Sequence, residues 1–299
     1  MSLRRSAIFL LCLGLLSPVW SPSAPHAVAQ SGQTLAEDWR QTTAADFAPG
    51  TLDDVQVVDV GDGAVILASV DGEQATRGLY TSPIRRSALV FNAVGIQWQA
   101  ETPPGTAVSV YLRVSGDGST WSQWQEVMDP EEEGPRFFAP APMIVEAAGY
   151  VQYRLELSTE QPQSTPQVEE VMVTCIDSRL GPSLGDVEHL QLAAVPQPGA
   201  VPQPPIISRA QWGANEAYRF DASGHEIWPT EYRLPQKIII HHSVTPNNEP
   251  NPPATVRAIY YYHAVTKGWG DVGYNYLVDW KGNIYEGRYG GPEVVGGHA

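Results

Sequence analysis

The sequence predicts two folded units in series: an all-β antiparallel sandwich, then a unit of mixed α and β structure. Three observations predict this. Between about Asp46 and Ile176, short apolar runs alternate with turn signals and no helical period is sustained. Residues 193–205 read AAVPQPGAVPQPP, a composition that favours an extended spacer and cannot build a core. From Ile206 onward, strand-like runs and a helical period alternate. The 299 residues are enough for two domains.

The N-terminus reads as an export signal over residues 1–29. Arg4 and Arg5 supply a basic start, Ala7 to Leu16 a short apolar core, and Ala27-Val28-Ala29 a small-residue cleavage site. The mature chain is expected to begin near Gln30 and to be secreted, extracellular or associated with the cell wall. Composition narrows the partners. With 42% hydrophobic and 17% charged residues the chain can pack a core. A net charge of -15 argues against nucleic acid and anionic membranes, which need basic patches. No later stretch is long and apolar enough to span a bilayer. Once the signal is removed Cys175 is the remaining cysteine, and its alternation with Val171 and Val173 along a strand predicts a buried structural thiol.

Within residues 30–180, Val55–Val60 and Ala64–Ser69 flank Gly61-Asp62-Gly63, a hairpin signal. Leu89–Trp98, Ala107–Val114 and Val151–Leu157 read as further strands. Val108, Val110, Leu112 and Val114 alternate with smaller or polar residues, so one face is buried. Residues 115–119, SGDGS, form a turn by composition. Trp98, Trp121 and Trp124 fit core or edge packing better than a sugar-stacking platform, although aromatic faces suit both.

After a linker over residues 181–205, the unit from 206 to 299 opens with Ser208-Arg209-Ala210-Gln211. This is a capping box for a short helix that carries Trp212. Lys237–Val244 reads as a strand covered on both faces. Asn251 is placed to cap a helix whose first turn tolerates Pro252 and Pro253. Val256, Ile259, Tyr260 and His263 then fall on one helical face. Tyr274–Asp279 and Asn283–Gly287 form a hairpin around Trp280-Lys281-Gly282. His241 and His242 end the strand IIIHHS. Alternation sends their side chains to opposite faces, so at most one of them serves a given metal site.

The segments ISRAQWGAN, IIIHHSVTPN, VRAIYYYHAVTKGWGDVGYNYLVDWKGNIYEGR and VVGGHA follow in order at compact spacing. Residues 206–299 resemble the peptidoglycan recognition proteins, the type 2 N-acetylmuramoyl-L-alanine amidases. The sandwich, with its DGSTWSQW stretch, looks like the jelly-roll domains that precede such amidases in some exported bacterial proteins. The resemblance implies an α/β amidase domain with a mixed central sheet and a zinc ion at the floor of a cleft. His241 matches the first zinc ligand and Tyr274 the catalytic tyrosine. A three-ligand zinc leaves one position for a water whose pKa it lowers, and the Tyr274 phenol would steady the developing oxyanion. The implied reaction is hydrolysis of the amide between N-acetylmuramic acid and L-alanine. His263, Lys267, Gly268, Trp269, Arg288 and His298 match substrate-groove positions. Gly268-Trp269 and Arg288 go with diaminopimelate-type muropeptides, through a guanidinium grip on the extra carboxylate.

The family's second histidine ligand and its cysteine match nothing up to Ala299. The segment therefore reads as an incomplete amidase domain, and the chain as a fragment expected to be inactive alone. The leading expectation is a zinc amidase. A non-catalytic peptidoglycan-binding protein is the rival, and a glycan-binding sandwich beside a degenerate amidase part is a third reading.

Overall fold

The computed structural model describes residues 33–59, 61–161, 163–191 and 204–297. The export signal, residues 192–203 of the linker and His298 lie outside the described residues. Strands β1 (Gln33–Gln41), β2 (Val55–Val58), β3 (Ala64–Leu67), β4 (Arg77–Thr81) and β5 (Arg85–Glu101) open the N-terminal unit. After them come β6 (Thr106–Ser115), β7 (Glu131–Glu133), β8 (Arg136–Phe138), β9 (Met143–Thr159) and β10 (Gln167–Leu180). These strands join one all-antiparallel network in a 12-stranded sheet. The expected hairpin is there: Val55 to Val58 pair with Leu67 to Ala64.

The long strands close the fold by changing partners along their length. The first half of β9 pairs with β5, and its second half lies between β6 and β4. β5 runs beside β10 from Ala93 to Glu101 and receives β8 at Gln97–Gln99. Strands that switch partners turn a sheet back on itself around one core. That core holds Phe91, Val94, Ile96, Val110, Leu112, Tyr153, Leu155, Val173 and Cys175. Cys175 is buried, and burial pushes its thiol pKa up to about 12, so it is inert as a nucleophile. Trp98 is buried and stacks on Phe137. Arg113 packs on the rings of both Trp121 and Trp124, 4.6 and 4.4 Å from their centroids.

Part of the expected linker is folded. Residues 184–191 form helix α1 (Leu184–Gln191), whose Val187 is fully buried with Ile207, Trp212, Ile259 and Tyr285. The proline signal covers only the stretch after this helix, and one buried valine in a polar octapeptide leaves little periodicity to read.

The C-terminal unit contains β11 (Ile206–Ile207), α2 (Arg209–Trp212), α3 (Pro252–Tyr261), a π-helical turn over Tyr262–Thr266, β12 (Tyr276–Val278) and β13 (Ile284–Glu286). β11 runs parallel to β13, and β12 antiparallel to it, so the small sheet is mixed. The Ser208 capping box forms with Gln211. Asn251 stands at the N-cap of α3 but its side chain makes no capping bond. Pro252 and Pro253 have no N–H to offer, and the Ala254 N–H goes to the Asn251 carbonyl at 2.9 Å.

Two expectations fail here. α3 is buried nearly all round rather than on one face. Its Ala258 joins the sandwich core, whereas Val256, Ile259 and Tyr260 join the second cluster, so the helix is the wedge between the two units. The Tyr262 hydroxyl donates to the Ile96 and Ala139 carbonyls, and Arg257 to those of Ser178, Pro182 and Trp212. Lys237–Val244 is not a strand. It pairs with no edge, and Ile238 and Ile240 are 89% and 91% exposed. An apolar run becomes a strand only when a partner edge accepts its backbone groups.

Candidate functional site

The site grows from the turn that follows α3. Lys267 N–H bonds the Tyr262 carbonyl, and Trp269 N–H the His263 carbonyl, which curls residues 262–270 back beneath the sheet. Gly268 takes φ 77°, a left-handed conformation that favours glycine, and stands exposed at the tip. The next segment, residues 271–275, is fixed by the strand opposite. Arg288 N–H donates to the Tyr274 carbonyl at 2.7 Å, and Gly287 N–H to that of Asn275 at 2.9 Å. A Cβ on Gly287 would lie 2.2 Å from the Tyr274 oxygen, so this approach requires glycine.

The expected site residues form a row of rings. The His241 ring lies 5.4 Å from that of Tyr274, Tyr274 5.4 Å from His263, and His263 4.9 Å from Trp269. The Lys267 ammonium sits 4.3 Å from the Trp269 centroid. His263 is fully buried. Its Nδ1 accepts the Gly273 N–H at 3.2 Å, which leaves the proton on Nε2, 3.5 Å from the Pro140 carbonyl. Burial, with the nearby Glu131 charge, pushes the Tyr274 phenol up to about 12, so it is a proton donor at neutral pH. Burial draws the Lys267 ammonium below its usual range, and Glu131 opposes that shift. His241 is exposed on the coil, its Nδ1 3.0 Å from the His242 carbonyl. The alternation argument separating His241 from His242 falls with the missing strand.

Arg288 is placed differently from the expectation. It is 1% exposed, stacked 3.4 Å from the Trp228 ring centroid. It donates to the carbonyls of Val295, Trp228 and Pro229. A two-pronged grip on a ligand carboxylate is closed to it in this arrangement, because backbone oxygens already hold Nε and one terminal nitrogen. Asp271 organises the same corner: it accepts from Arg209 at 2.9 Å and from the N–H groups of Val272 and Tyr289, with Arg288 and Arg219 at 3.8 Å. Buried acid and arginines compensate one another and anchor the loop.

Of the zinc donors that the resemblance implies, His241 is present in this chain. Among the described residues no group of three or more His, Cys, Asp or Glu side chains is placed to hold a metal. His241 by itself makes no tetrahedral site.

Glu131 and Glu133 were missed as members of this region. They belong to β7 in the sandwich, yet Glu131 pairs with Lys267, and Glu133 accepts from the Trp269 indole at 3.3 Å. An acidic triplet in a chain of charge -15 gives no signal of its own. A cleft of about 260 Å³ separates Val244–Pro246 from the sandwich residues Leu112, Val127, Met128 and Met143.

Comparison with known proteins divides the chain. Residues 37–129, within the sandwich, match the family described as the peptidase C39 N-terminal domain. Peptidoglycan-recognition protein 1 of Holotrichia diomphalia is 35% identical over 86 residues, 28% of this chain and 40% of that protein. Peptidoglycan-recognition protein LB of Drosophila melanogaster is 31% identical over 119 residues, 39% of this chain and 46% of that protein. The chain thus spans less than half the length of these curated relatives. Among solved structures, that of the infectious bursal disease virus Gx strain covers 57% of this chain and 38% of its own, at 8% identity and a TM-score of 0.31. A likeness that weak assigns neither fold nor function. No helix among the described residues is long and apolar enough to cross a membrane.

Proposed function

We propose that this chain recognises peptidoglycan fragments through its C-terminal unit, an α/β domain of the amidase type, working outside the cell. The observation that carries this is the unbroken row His241, Tyr274, His263 and Trp269, with Lys267 on the last ring. Aromatic faces suit sugar rings and a cation suits peptide carboxylates. The partial similarity to proteins named for peptidoglycan recognition supports the same reading. Diaminopimelate muropeptides are the first ligands to test, through Gly268 and Trp269, since backbone carbonyls hold Nε and one terminal nitrogen of Arg288. Calorimetric titration with a muramoyl tripeptide tests the proposal. Binding that Trp269→Ala weakens about tenfold or more supports it; no binding by the parent chain overturns it.

Hydrolysis of the muramoyl–L-alanine amide is the second reading, favoured by the closeness of His241 to the Tyr274 phenol. Here Tyr274 would donate a hydrogen bond to the oxygen of the attacked carbonyl. Zinc would supply the activated water, with His241 as one ligand and further donors still required. Release of peptide from muropeptide, dependent on added zinc and lost in His241→Ala, tests this reading. A product yield that ignores zinc, or that survives His241→Ala, counts against it.

A further inference from the structure

The β7–β8 hairpin of the sandwich lies against residues that the proposed function assigns to the ligand. Alternation along β7 puts Glu131 and Glu133 on one face and Glu132 on the other. The Glu131 carboxylate meets the Lys267 ammonium, whose side chain is wholly buried. Glu133 takes the Trp269 indole N–H. Immediately beyond the hairpin, Ala139 and Pro140 offer carbonyls to the Tyr262 hydroxyl and to His263 Nε2. Each polar group this part of the row would turn toward a peptide ligand is therefore engaged by the sandwich, and two of them by carboxylates.

We infer that the hairpin is a built-in competitor for the peptidoglycan site, with Glu131 and Glu133 standing where carboxylates of the stem peptide would bind Lys267 and Trp269. The inference rests on the proposed recognition of peptidoglycan and adds how that recognition is held back. A carboxylate-bearing peptide must displace the hairpin. The apparent affinity of the whole chain is then the intrinsic one reduced by the fraction of molecules in which the hairpin has left. A muropeptide whose carboxylates are amidated loses its means of competing for Lys267, so the arrangement also favours free carboxylates.

The test uses the full chain and two readouts. Zero-length carbodiimide coupling joins a carboxylate to an amine in contact, so it reports the Glu131–Lys267 pair without any ligand. The coupled peptide is expected in the free chain and is expected to fade as a muramoyl tripeptide saturates the protein. The double variant Glu131→Gln, Glu133→Gln should bind that tripeptide at least about tenfold more tightly, two charge-assisted contacts having been removed from the competitor. Glu132→Gln, with the same loss of charge on the opposite face, should bind as the parent does. Equal affinity of parent and double variant overturns the inference, as does weaker binding by the variant or a coupling yield indifferent to saturating tripeptide. If coupling occurs but neither protein binds tripeptide, the recognition reading falls and takes the competitor with it. That pattern is distinct from failure of the competitor alone, where both proteins bind equally.

Discussion

Leu89–Trp98 and Lys237–Val244 are both apolar runs that the sequence marks as strands, and they end in opposite environments. The first lies inside β5, with β10, β9 and β8 bonded along it and Ile96 fully buried. The second meets no edge and leaves three successive isoleucines in water. Composition does not separate them. What differs is the supply of partners: the sandwich brings its long strands to one another, whereas the small sheet of β11, β13 and β12 has its three members and no place taken by residues 237–244. Strand formation is therefore a property of the pair, and the apolar run is only half of the requirement.

The largest way to break the comparison is to remove the residue that joins the two units. Tyr262 is fully buried, packs in the sandwich core and donates to two sandwich carbonyls. Tyr262→Ala should cost about 3–5 kcal/mol, the usual range for losing a buried aromatic. Tyr262→Phe keeps the ring and should cost only about 1 kcal/mol. Urea denaturation of both variants measures this; a loss under about 1 kcal/mol for the alanine variant would show that the units do not share a core.

Arg288 comes next. Its ring stacking and three carbonyl bonds make it a brace between β13 and the loop of Trp228. Arg288→Ala should destabilise the chain by about 2–3 kcal/mol, because the carbonyls lose charged donors. Arg288→Lys should recover little, since an ammonium cannot bond in several directions across a plane and stack at once. Unchanged stability with a lost preference for diaminopimelate ligands would reverse this assignment and restore Arg288 to the groove.

Legibility follows the same division. The β hairpin at Gly61–Gly63, the alternation around Val110 and Leu112, the Ser208 capping box and the hairpin about Gly282 are local signals, and each is present as expected. The row of His241, Tyr274, His263 and Trp269 was legible because one compact motif carries most of it. What escaped depends on contacts far apart in the chain. The burial of α3 on every side, the pairing of Lys267 with a glutamate 136 residues away and the occupied guanidinium of Arg288 are set by docking. No periodicity encodes docking.

Alkaline pH sharpens the contrast at Tyr274, the ring shared by the exposed His241 and the buried His263. Burial holds its folded pKa at about 12, above the roughly 10 of a free tyrosine. A group whose folded pKa is raised contributes stability that is present below the unfolded pKa. That contribution is lost as pH rises through the folded value. Between pH 8 and pH 11 the phenol should therefore cost the chain about 1 kcal/mol, and Tyr274→Phe should lose that much less over the same interval. Denaturation curves of parent and variant at the two pH values decide it; parallel losses would mean that the phenol is not shielded in the folded chain.

The smallest expected effect is the most diagnostic for residues 237–244. Ile238 and Ile240 are 89% and 91% exposed, so their side chains give up little on folding. The double substitution Ile238→Asp, Ile240→Asp should change stability by no more than about 0.5 kcal/mol per site, the range for surface positions. The same change within β5, at Val94 and Ile96, would bury two carboxylates and unfold the sandwich. A loss above about 2 kcal/mol from the first pair would mean that the isoleucines are covered in solution and that residues 237–244 do find an edge. There is a second reading of the same variant. Three exposed isoleucines in an unpaired extended segment are a template for strand pairing between chains. Two aspartates there should therefore raise the concentration at which the protein stays monomeric in light scattering, while its melting curve hardly moves. Stability that stays put while association falls is the signature of an apolar run without a partner, and a buried strand cannot produce it.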